Sequence, residues 1–356
     1  MQKSAENMGA SKVTIKDIAT EAGVSIALVS FVMNNRTTGK ENYRVNKETS
    51  QRILEIADKL NYQPNNAART LRSGRTYTIG VIVSDISNRF FADIARCIED
   101  RAYKHKYTVL FGSTDENPQK LENLIEVFRH KGVDGLIVVP CEGSDEIIRN
   151  VARQRVPLVL LDREVKDAEV SSVVLDNYRA GVQTTSALLK QGFKRIDMIS
   201  YAMPLSNIRQ REDGYKFYME RAGLGDHVRI HRLRHDKLGG IEKVIREAKA
   251  RNVEAFVFAT NTLATAGLTT IFRNGWQVPQ DFAMACFDGN EAFDIYKTAV
   301  AYVRQPIEEF GSEALDLLMK SIDQKDRPAN HTRVVLKSEL VMCGDPDGGE
   351  NENGKE

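Results

Sequence analysis

From Thr78 onward, the hydrophobic and polar positions of the chain follow the pattern of an α/β protein. Short continuous apolar runs of strand length are separated by longer amphipathic stretches of helical period. Continuous β-branched runs that alternate with helices are typical of parallel sheets covered on both faces. The predicted strands are IGVIVSDI, TVLFGS, GLIVVP, PLVLLD, VVLD, IDMIS, AFVFAT and AMACFD, and the predicted helices lie near 91–106, 118–131, 178–191, 211–223, 240–251, 263–274 and 306–323.

The number of predicted strands is too large for one sheet, and the strand–helix pattern restarts after Asp176. We therefore predict two doubly wound lobes with a cleft between them. In such sheets ligands bind beyond the carboxyl ends of the strands. The residues that follow the predicted strands are thus the first candidates for a binding site.

The first 62 residues have the pattern of a small helical unit instead. Thr14 and Asp17 form a helix start that resembles a capping box, Gly23 ends that helix, and Ser25 can cap the next one. A third helix is predicted to begin near Asn46. The apolar face of the first helix has Ile15, Ile18, Ala19 and Ala22; in the second helix Val29, Val32 and Met33 face inward, and Ile26, Ala27, Ser30, Phe31 and Asn34 share the other face.

A short polar segment, NYQPNNAARTLRSGRT, joins this unit to the α/β part. Pro64 is predicted to end the third helix. NNAARTLR could form barely two helical turns, which is too short to be stable alone in water. We expect another surface to order this segment.

Charge is unevenly distributed although the whole chain carries a formal net charge of only +1. Residues 1–75 contain twelve Lys or Arg against seven Asp or Glu, whereas the remainder is slightly acidic. The four cysteines show no CxxC pair and no zinc-finger spacing, so we expect no metal and no cofactor. The N-terminus has no apolar signal region and no window is apolar enough to span a membrane, so a cytoplasmic protein is expected.

Four stretches together resemble the LacI/GalR (lactose-repressor and galactose-repressor) family of bacterial transcription regulators, over residues 13–342. They are VTIKDIATEAGVS at the start, NYQPNNAARTLRSGRT as the hinge, IGVIVSDISNRFF, and the pair FDG and VRQPIEEFG near the end. The resemblance implies an α/β fold with an N-terminal helix-turn-helix head, a hinge helix, and a two-lobed core of doubly wound parallel sheets that resembles periplasmic sugar-binding proteins.

The resemblance also implies domain boundaries. The helix-turn-helix head covers 12–62 and the hinge helix with its linker covers 63–76. The effector-binding core covers 77–344, and a disordered acidic tail follows at 345–356. Within the core, lobe 1 is expected at about 77–174 plus 303–331, and lobe 2 at about 175–302 plus 332–344.

The family's DNA-binding mode carries over to particular positions. The second helix of the head, 25–34, would lie in the major groove, and a homodimer would read the two half-sites of a pseudo-palindromic operator. The hinge segment would fold on the operator, with Leu71 as the wedge in the minor groove. Arg69 and Arg72 would contact phosphates. The expected DNA-binding residues are Thr14, Ile15, Ser25, Ile26, Ala27, Ser30, Phe31, Asn34, Asn65, Ala68, Arg69, Leu71 and Arg72.

Three positions on the predicted recognition helix depart from relatives that carry long polar or basic side chains there. Ile26, Ala27 and Phe31 cannot make the bidentate hydrogen bonds that read guanine or adenine, but they suit thymine methyl groups. We therefore expect more van der Waals and shape readout than is usual in the family. The alternative is that Ile26 and Phe31 belong to the core of the head.

Alignment to the family places Asp162, Arg211, Asn261 and Asp288 in the cleft between the lobes. Carboxylates that accept from vicinal hydroxyls, with arginine and asparagine donating, form a sugar-binding set. Both aspartates could instead be helix caps or structural acids.

Two further positions concern the kind of ligand. Phe90 could supply the aromatic platform that the family adds. His235 stands where several relatives carry an aromatic residue. A histidine together with Arg89 and Arg211 would favour an acidic ligand, such as a sugar acid or sugar phosphate, over a neutral sugar.

The predicted function is a sequence-specific operator-binding transcriptional regulator, a repressor, controlled by a small-molecule effector that is a sugar or sugar derivative. The alternative is a solute-binding protein of sugar transport, which needs an export signal and no DNA-binding head. An enzyme is not expected, because the sequence contains no Walker motif, nucleophile elbow or HExxH.

Overall fold

In the computed structural model the described residues are 13–38, 45–62, 74–289, 300–324 and 331–343, with the side chains of 34–38 and of Val300 excepted. The chain divides into two compact units, Met1–Thr76 and Tyr77–Glu356. No described helix combines the length and the apolar character that a membrane-spanning segment needs. Most of the expected hinge segment, 63–73 of 63–76, lies outside the described residues. The whole of the expected acidic tail lies outside them too.

The described part of the first unit forms three helices around a small core. The capping box at Thr14 is confirmed, because Asp17 Oδ2 accepts from the Thr14 backbone N–H at 2.8 Å and from its hydroxyl at 2.7 Å. Ser25 Oγ accepts from the Leu28 N–H at 3.2 Å and caps the second helix, as expected. The helices are α1 (Ile15–Ala22), α2 (Ile26–Thr38) and α3 (Lys47–Lys59), and the core consists of Ile18, Ala19, Ala22, Val29, Val32, Ile53 and Ala57.

The end of α3 differs from the prediction. The helix ends at Lys59, and Asn61 follows in the left-handed conformation with φ 49°. The helix therefore stops before Pro64 could end it. Asparagine is one of the few side chains that adopt this conformation readily.

Gly23 ends α1 in the left-handed conformation, with φ 64° and ψ 35°, and a Cβ there would meet nothing within 4 Å. Gly23→Ala is therefore expected to destabilise the head by about 1 kcal/mol through backbone strain alone. Hydrogen exchange of the α1 and α2 amides would measure the effect. Gly23→Asn is the matched control, because asparagine tolerates this conformation better; equal losses for Ala and Asn would contradict the assignment.

The second unit contains the two predicted lobes, each built on a six-stranded sheet. The first sheet has the strand order β11-β5-β4-β3-β1-β2 and is parallel throughout. Its strands are β1 (Thr78–Val83), β2 (Thr108–Ser113), β3 (Gly135–Val138), β4 (Leu158–Leu161), β5 (Ser171–Leu175) and β11 (Arg333–Leu336), and its helices are α4 (Arg89–Lys104), α5 (Pro118–His130), α6 (Asp145–Arg153) and α11 (Ile307–Asp323).

The second sheet has the order β12-β10-β9-β8-β6-β7, and only the β10–β12 pair is antiparallel. Its core contains large buried aromatic rings, including Tyr215, Phe256, Phe258 and Phe282. Its strands are β6 (Ile196–Tyr201), β7 (Arg229–Leu233), β8 (Ala255–Phe258), β9 (Ala283–Phe287), β10 (Val300–Arg304) and β12 (Glu339–Met342), and its helices are α7 (Asn177–Lys190), α8 (Ser206–Arg221), α9 (Gly240–Ala250) and α10 (Asn261–Arg273).

The topology corrects two of the expected lobe boundaries. Residues 332–344 were expected in lobe 2, but β11 pairs with β5 and completes the first sheet. Lobe 1 was expected to resume at residue 303, but β10 pairs with β9 up to Val303 and belongs to the second sheet. Between the described strands and helices of the two lobes, the chain crosses three times: after β5, between β10 and α11, and between β11 and β12.

The start of α8 also differs from the prediction, which placed its beginning near Arg211. The helix begins at Ser206, so Arg211 lies in its second turn. Residues 206–210, SNIRQ, contain a single apolar residue, and hydrophobic periodicity could not reveal this turn. The additional turn carries Asn207, a buried residue one turn before Arg211.

Candidate functional site

Two strands end in an aspartate with an unusual backbone conformation. Asp162 follows β4 with φ 64°, and Asp288 follows β9 with φ 63°. Positive φ is uncommon for residues other than glycine, and strained residues of this kind cluster at functional sites. Both carboxylates lie at carboxyl ends of strands, where the sequence predicted ligand contacts.

Asp162 presents a buried oxygen that lacks a partner. Its side chain is 3% exposed, and Oδ2 accepts from Asn207 Nδ2 at 3.0 Å, across the boundary between the lobes. Oδ1 has no hydrogen-bond partner among the described residues. Burial raises the pKa of Asp162 against the opposing effect of Arg163. Since buried polar atoms are almost always paired, a hydroxyl of a ligand is the natural donor to Oδ1.

Arg163 forms a nearly buried ion pair beside Asp162. Its Nη1 and Nη2 donate to the two carboxylate oxygens of Glu116 at 2.9 and 2.7 Å, and Nη1 also donates to the Pro140 carbonyl. Its Nε lies 3.5 Å from Asp162 Oδ2. This guanidinium therefore hydrogen-bonds the Glu116 carboxylate and makes a longer ion contact with that of Asp162.

Arg211 is 4% exposed and held from three directions. Nε donates to Asn177 Oδ1 and Nη1 to the Ala259 carbonyl, both at 2.8 Å, and the guanidinium carbon lies 4.0 Å from the centre of the Phe287 ring. Burial lowers the pKa of Arg211, while Asp162 and Asp288 oppose that shift. No described residue accepts from Nη2, so its two N–H groups can serve a ligand.

Asp288 lies near Arg211 and is paired with the end of the next strand. Gln305 Nε2 donates to Asp288 Oδ1 at 2.8 Å, and Gln305 Oε1 is buried without a hydrogen-bond partner in the described part of the chain. Burial raises the pKa of Asp288 to about 6 although Arg211 and Gln305 oppose it. Gln305 Oε1 is thus a second buried acceptor without a donor among the described residues, besides Asp162 Oδ1.

Asn261 connects the two lobes. It is the first residue of α10, and its Nδ2 donates to Oδ1 of Asn88, the N-cap of α4 in lobe 1, at 3.3 Å. Its Oδ1 accepts from the Thr262 N–H at 2.7 Å. A ligand in contact with either asparagine would therefore affect a contact between lobes.

A cavity of about 230 Å³ lies at this edge and is lined by three of the predicted effector residues. Phe90 is among them, but it is only 7% exposed and packs edge-on against Phe91 and Phe310. Little of the Phe90 ring face is open for stacking. The lining residues are Arg89, Phe90, Asp93, Asn261, Asp288, Gly289, Tyr302, Arg304, Gln305 and Ile307.

The structure does not bring His235 together with the other candidates. It is exposed in the turn after β7 and does not line the cavity, and no hydrogen bond within the described ranges joins it to the other five residues. β7 is the edge strand of its sheet, which explains the distance from the central strand ends.

Sequence reasoning missed several polar residues of the cleft. Arg163 directly follows Asp162 in LLDRE, and Gln305 directly follows β10, so position after a strand could have indicated both. Asn207 lies four residues before Arg211 and thus on the same helix face. Glu116 had no local signal, because its partner Arg163 lies 47 residues away.

A larger cavity, of about 670 Å³, lies at the opposite edge of the first sheet. Its lining includes Pro157 and Ser171 at the amino ends of β4 and β5, far from the strand ends that carry the aspartates. It is bordered by Gln324 and His331, which flank residues outside the described ranges. It contains none of the predicted effector residues.

The head presents the predicted recognition face to solvent. Ile26 is 49% and Phe31 39% exposed, and Ala27 and Ser25 are also exposed, whereas Val29 and Val32 are buried. Ser30 is half-buried. The alternative that Ile26 and Phe31 are core residues is therefore wrong. Thr14 is exposed and Ile15 half-buried at the start of α1.

The remaining DNA-binding predictions fall where the structure is not described. Asn65, Ala68, Arg69, Leu71 and Arg72 lie outside the described residues, and the side chain of Asn34 does too. Their roles stay predictions.

Two protein-family models match the chain. Residues 14–65 match "Bacterial regulatory proteins, lacI family", and residues 76–339 match "Periplasmic binding proteins and sugar binding domain of LacI family". The second match alone covers more than half of the chain.

Individual relatives match over almost the whole length. The HTH-type transcriptional regulator RegA of Clostridium saccharobutylicum is 30% identical over 92% of this chain and 97% of its own. Catabolite control protein A of Streptococcus mutans is 31% identical over 90% and 96%. Among solved structures, the lac repressor dimer bound to operator and the anti-inducer ONPF is similar with a TM-score of 0.79 and 21% identity, over 94% of this chain and 99% of that one.

Proposed function

We propose, because the chain belongs to the LacI family of bacterial regulatory proteins, that it is an operator-binding repressor whose DNA affinity is set by a neutral sugar bound between its lobes. It is a transcriptional regulator and not an enzyme. It acts in the cytoplasm, where its DNA is, and reads a pseudo-palindromic operator as a homodimer, the assembly named for the lac repressor.

The proposed DNA-reading surface is the exposed face of α2. Residues 12–62 form the reading head, and 63–76 form the hinge that follows it. Because α2 exposes apolar side chains, its base readout comes mainly from contact with thymine methyl groups rather than from bidentate hydrogen bonds. The basic balance of residues 1–75 supplies the non-specific attraction to phosphate.

Phe31→Ala is expected to relax the preference at one base pair in each half-site, at a cost of about 1 to 3 kcal/mol against the preferred base. The ring is 39% exposed, so its removal leaves the head core intact. Selection of binding sites from a random DNA library would measure the preference. Tyr103→Ala, which removes a 78% exposed ring from the other unit, is the control; identical base preferences for parent and Phe31→Ala would refute the contact.

The effector assignment rests on one observation: Asp162 Oδ1 and Gln305 Oε1 are buried acceptors without a protein donor. An acceptor without a partner needs a donor, and the hydroxyl groups of a sugar are suitable donors. Arg211 Nη2 adds donors for ring or hydroxyl oxygens. The exposed position of His235 removes the main support for an acidic ligand.

Regulation follows from the contacts between lobes. The two candidate contacts, Asp162–Asn207 and Asn88–Asn261, join groups from different lobes at the edge where the ligand would bind. A ligand that favours one relative orientation of the lobes changes the equilibrium between them. Coupling of about 1 to 3 kcal/mol would change operator affinity roughly 5- to 150-fold.

The test uses the full chain and the DNA site obtained by selection. Fluorescence anisotropy of that site is followed with neutral pentoses, hexoses and disaccharides, and with the sugar acids and sugar phosphates derived from them. We expect at least one neutral sugar to change DNA affinity fivefold or more. A response to the acids or phosphates alone would replace the neutral ligand by an anionic one, and a lack of sequence-selective DNA binding would refute the repressor.

A further inference from the structure

Helices α7 and α8 cross in backbone contact at two glycines. A Cβ added to Gly181 would lie 2.4 Å from the Arg211 carbonyl oxygen. A Cβ added to Gly214 would lie 2.3 Å from the Tyr178 carbonyl oxygen and 2.8 Å from the Val182 nitrogen. These neighbours are backbone atoms that cannot move aside as a side chain can. No other residue type fits at this crossing without separation of the helices.

The crossing of the two helices sets the position of the Asn177 side chain relative to that of Arg211. Asn177 lies one helical turn before Gly181 on α7, and the Arg211 backbone touches Gly181 from α8. Asn177 is 2% exposed; its Nδ2 donates to the Leu175 carbonyl at 3.2 Å, which fixes the amide so that Oδ1 accepts from Arg211 Nε at 2.8 Å.

We infer that Asn177, Gly181 and Gly214 are positioning residues that fix the Arg211 guanidinium for effector recognition. They act through Arg211, because the close crossing brings Asn177 Oδ1 within hydrogen-bond distance of Nε. The significance of this arrangement for the effector rests on the proposed function. The arrangement itself does not.

Positioning matters because of how the five N–H groups of the guanidinium are distributed. Asn177 takes the Nε–H and the Ala259 carbonyl takes one N–H of Nη1, while the Phe287 ring covers one face at 4.0 Å. The Nη2 pair is then presented in one fixed geometry. A site held in the bound geometry avoids the entropic cost of ordering a long side chain on binding.

The first measurement is independent of any effector. In the 15N–1H spectrum of the full chain, the Arg211 Nε–H signal is identified by its loss in Arg211→Lys. We expect its exchange with solvent to be at least tenfold faster in Asn177→Leu and in Gly181→Ala than in the parent, because the acceptor is lost or displaced.

Two matched variants serve as controls. Asn177→Asp loses the donor to the Leu175 carbonyl but keeps a carboxylate oxygen that can accept from Arg211 Nε, so its Nε–H exchange should stay slower than in Asn177→Leu. Gly239→Ala adds a Cβ to a glycine of the same lobe that has nothing within 4 Å and a φ of −56°. It should leave the signal unchanged.

The outcomes separate this inference from the proposed function. Unchanged exchange of the Arg211 Nε–H in Asn177→Leu would overturn the inference. Equal acceleration of that exchange in Gly239→Ala would also overturn it. If Gly181→Ala fails to fold, the result for Asn177→Leu decides alone. The second measurement titrates each variant with the neutral sugar that acts on the parent. At least tenfold weaker sugar binding in Asn177→Leu with rescue in Asn177→Asp supports the role in recognition; faster exchange with unchanged sugar binding would overturn that role and contradict Arg211 as an effector contact.

Discussion

Asp288→Asn is expected to lower the affinity of the cleft for its sugar effector at least tenfold and to leave operator binding without effector unchanged. The carboxylate lies at a strand end beside Arg211, and its loss removes charge-assisted bonds to hydroxyls worth about 1.5 to 3 kcal/mol. Asparagine keeps an oxygen for Gln305 Nε2, so the fold around it should persist. Calorimetry with the sugar, and anisotropy with the operator, measure the two affinities.

The same variant should be more stable than the parent near neutral pH. An aspartate titrates near 3.8 when unfolded, and burial raises the pKa of Asp288 to about 6. A raised carboxyl pKa gives stability that is complete below the unfolded value and is lost as the pH rises through the folded one. Asparagine does not titrate. The free energy of unfolding of the variant relative to that of the parent should therefore rise by about 2 kcal/mol between about pH 4 and pH 7.

Asp213→Asn is the control for both effects, since Asp213 is an exposed acid of the same lobe, paired with Lys216. It should leave sugar affinity unchanged, and it should not reproduce the stability gain of Asp288→Asn because its side chain is 59% exposed. Unaltered sugar affinity in Asp288→Asn would refute the effector contact. A difference in the free energy of unfolding that does not vary with pH would show that Asp288 titrates normally.

Arg163→Met is expected to destabilise the core by about 3 kcal/mol at neutral pH. The side chains of Arg163 and Glu116 are 9% and 13% exposed, and removal of the cation leaves Glu116 and Asp162 as buried carboxylates without it. The loss should exceed that of Arg153→Met by far, because Arg153 is 66% exposed and surface pairs contribute little. Chemical denaturation measures both.

A double-mutant cycle isolates the pair. Glu116→Gln in the Arg163→Met background should recover about half of the lost stability, because the uncompensated charge of Glu116 is then gone while that of Asp162 remains. Strictly additive losses would show that the two side chains do not interact energetically. This cycle also tests whether the ion pair or merely the volume of Arg163 stabilises the loop after β4.

The central strands could be predicted from the sequence because burial on both faces makes them continuously apolar, as in LVLL and AFVF. β7 could not, because RIHRL lies at an edge of its sheet and has only two apolar residues among three basic ones. The nine-residue α6 is short and half charged, which hides its period. Burial does not explain every outcome, because the partly exposed edge strand β2 was predicted and the buried strand β10, VAYVR, was not.

The residues of the candidate site that follow apolar strands could be predicted from the sequence, whereas their hydrogen-bond partners could not. Asp162 and Asp288 follow apolar strands directly, so their position alone placed them at the sheet edge. The contacts that tune them come from remote parts of the chain: Asn207 reaches Asp162 over 45 residues, and Gln305 reaches Asp288 over 17. Such partners depend on strand order, which one sequence does not reveal. His235 was misplaced with them because its strand lies at the edge.

The three crossings between the lobes also determine when the protein can become complete during synthesis. Both sheets take their last strands from the end of the chain: the first waits for β11, and the second for β10 and β12. Helix α11, which covers the first sheet, is likewise made late. Neither lobe can close on the ribosome before nearly all of the chain has emerged, whereas the head is made first. A chain interrupted near residue 332 would therefore retain a whole DNA-reading head attached to two lobes whose sheets are incomplete.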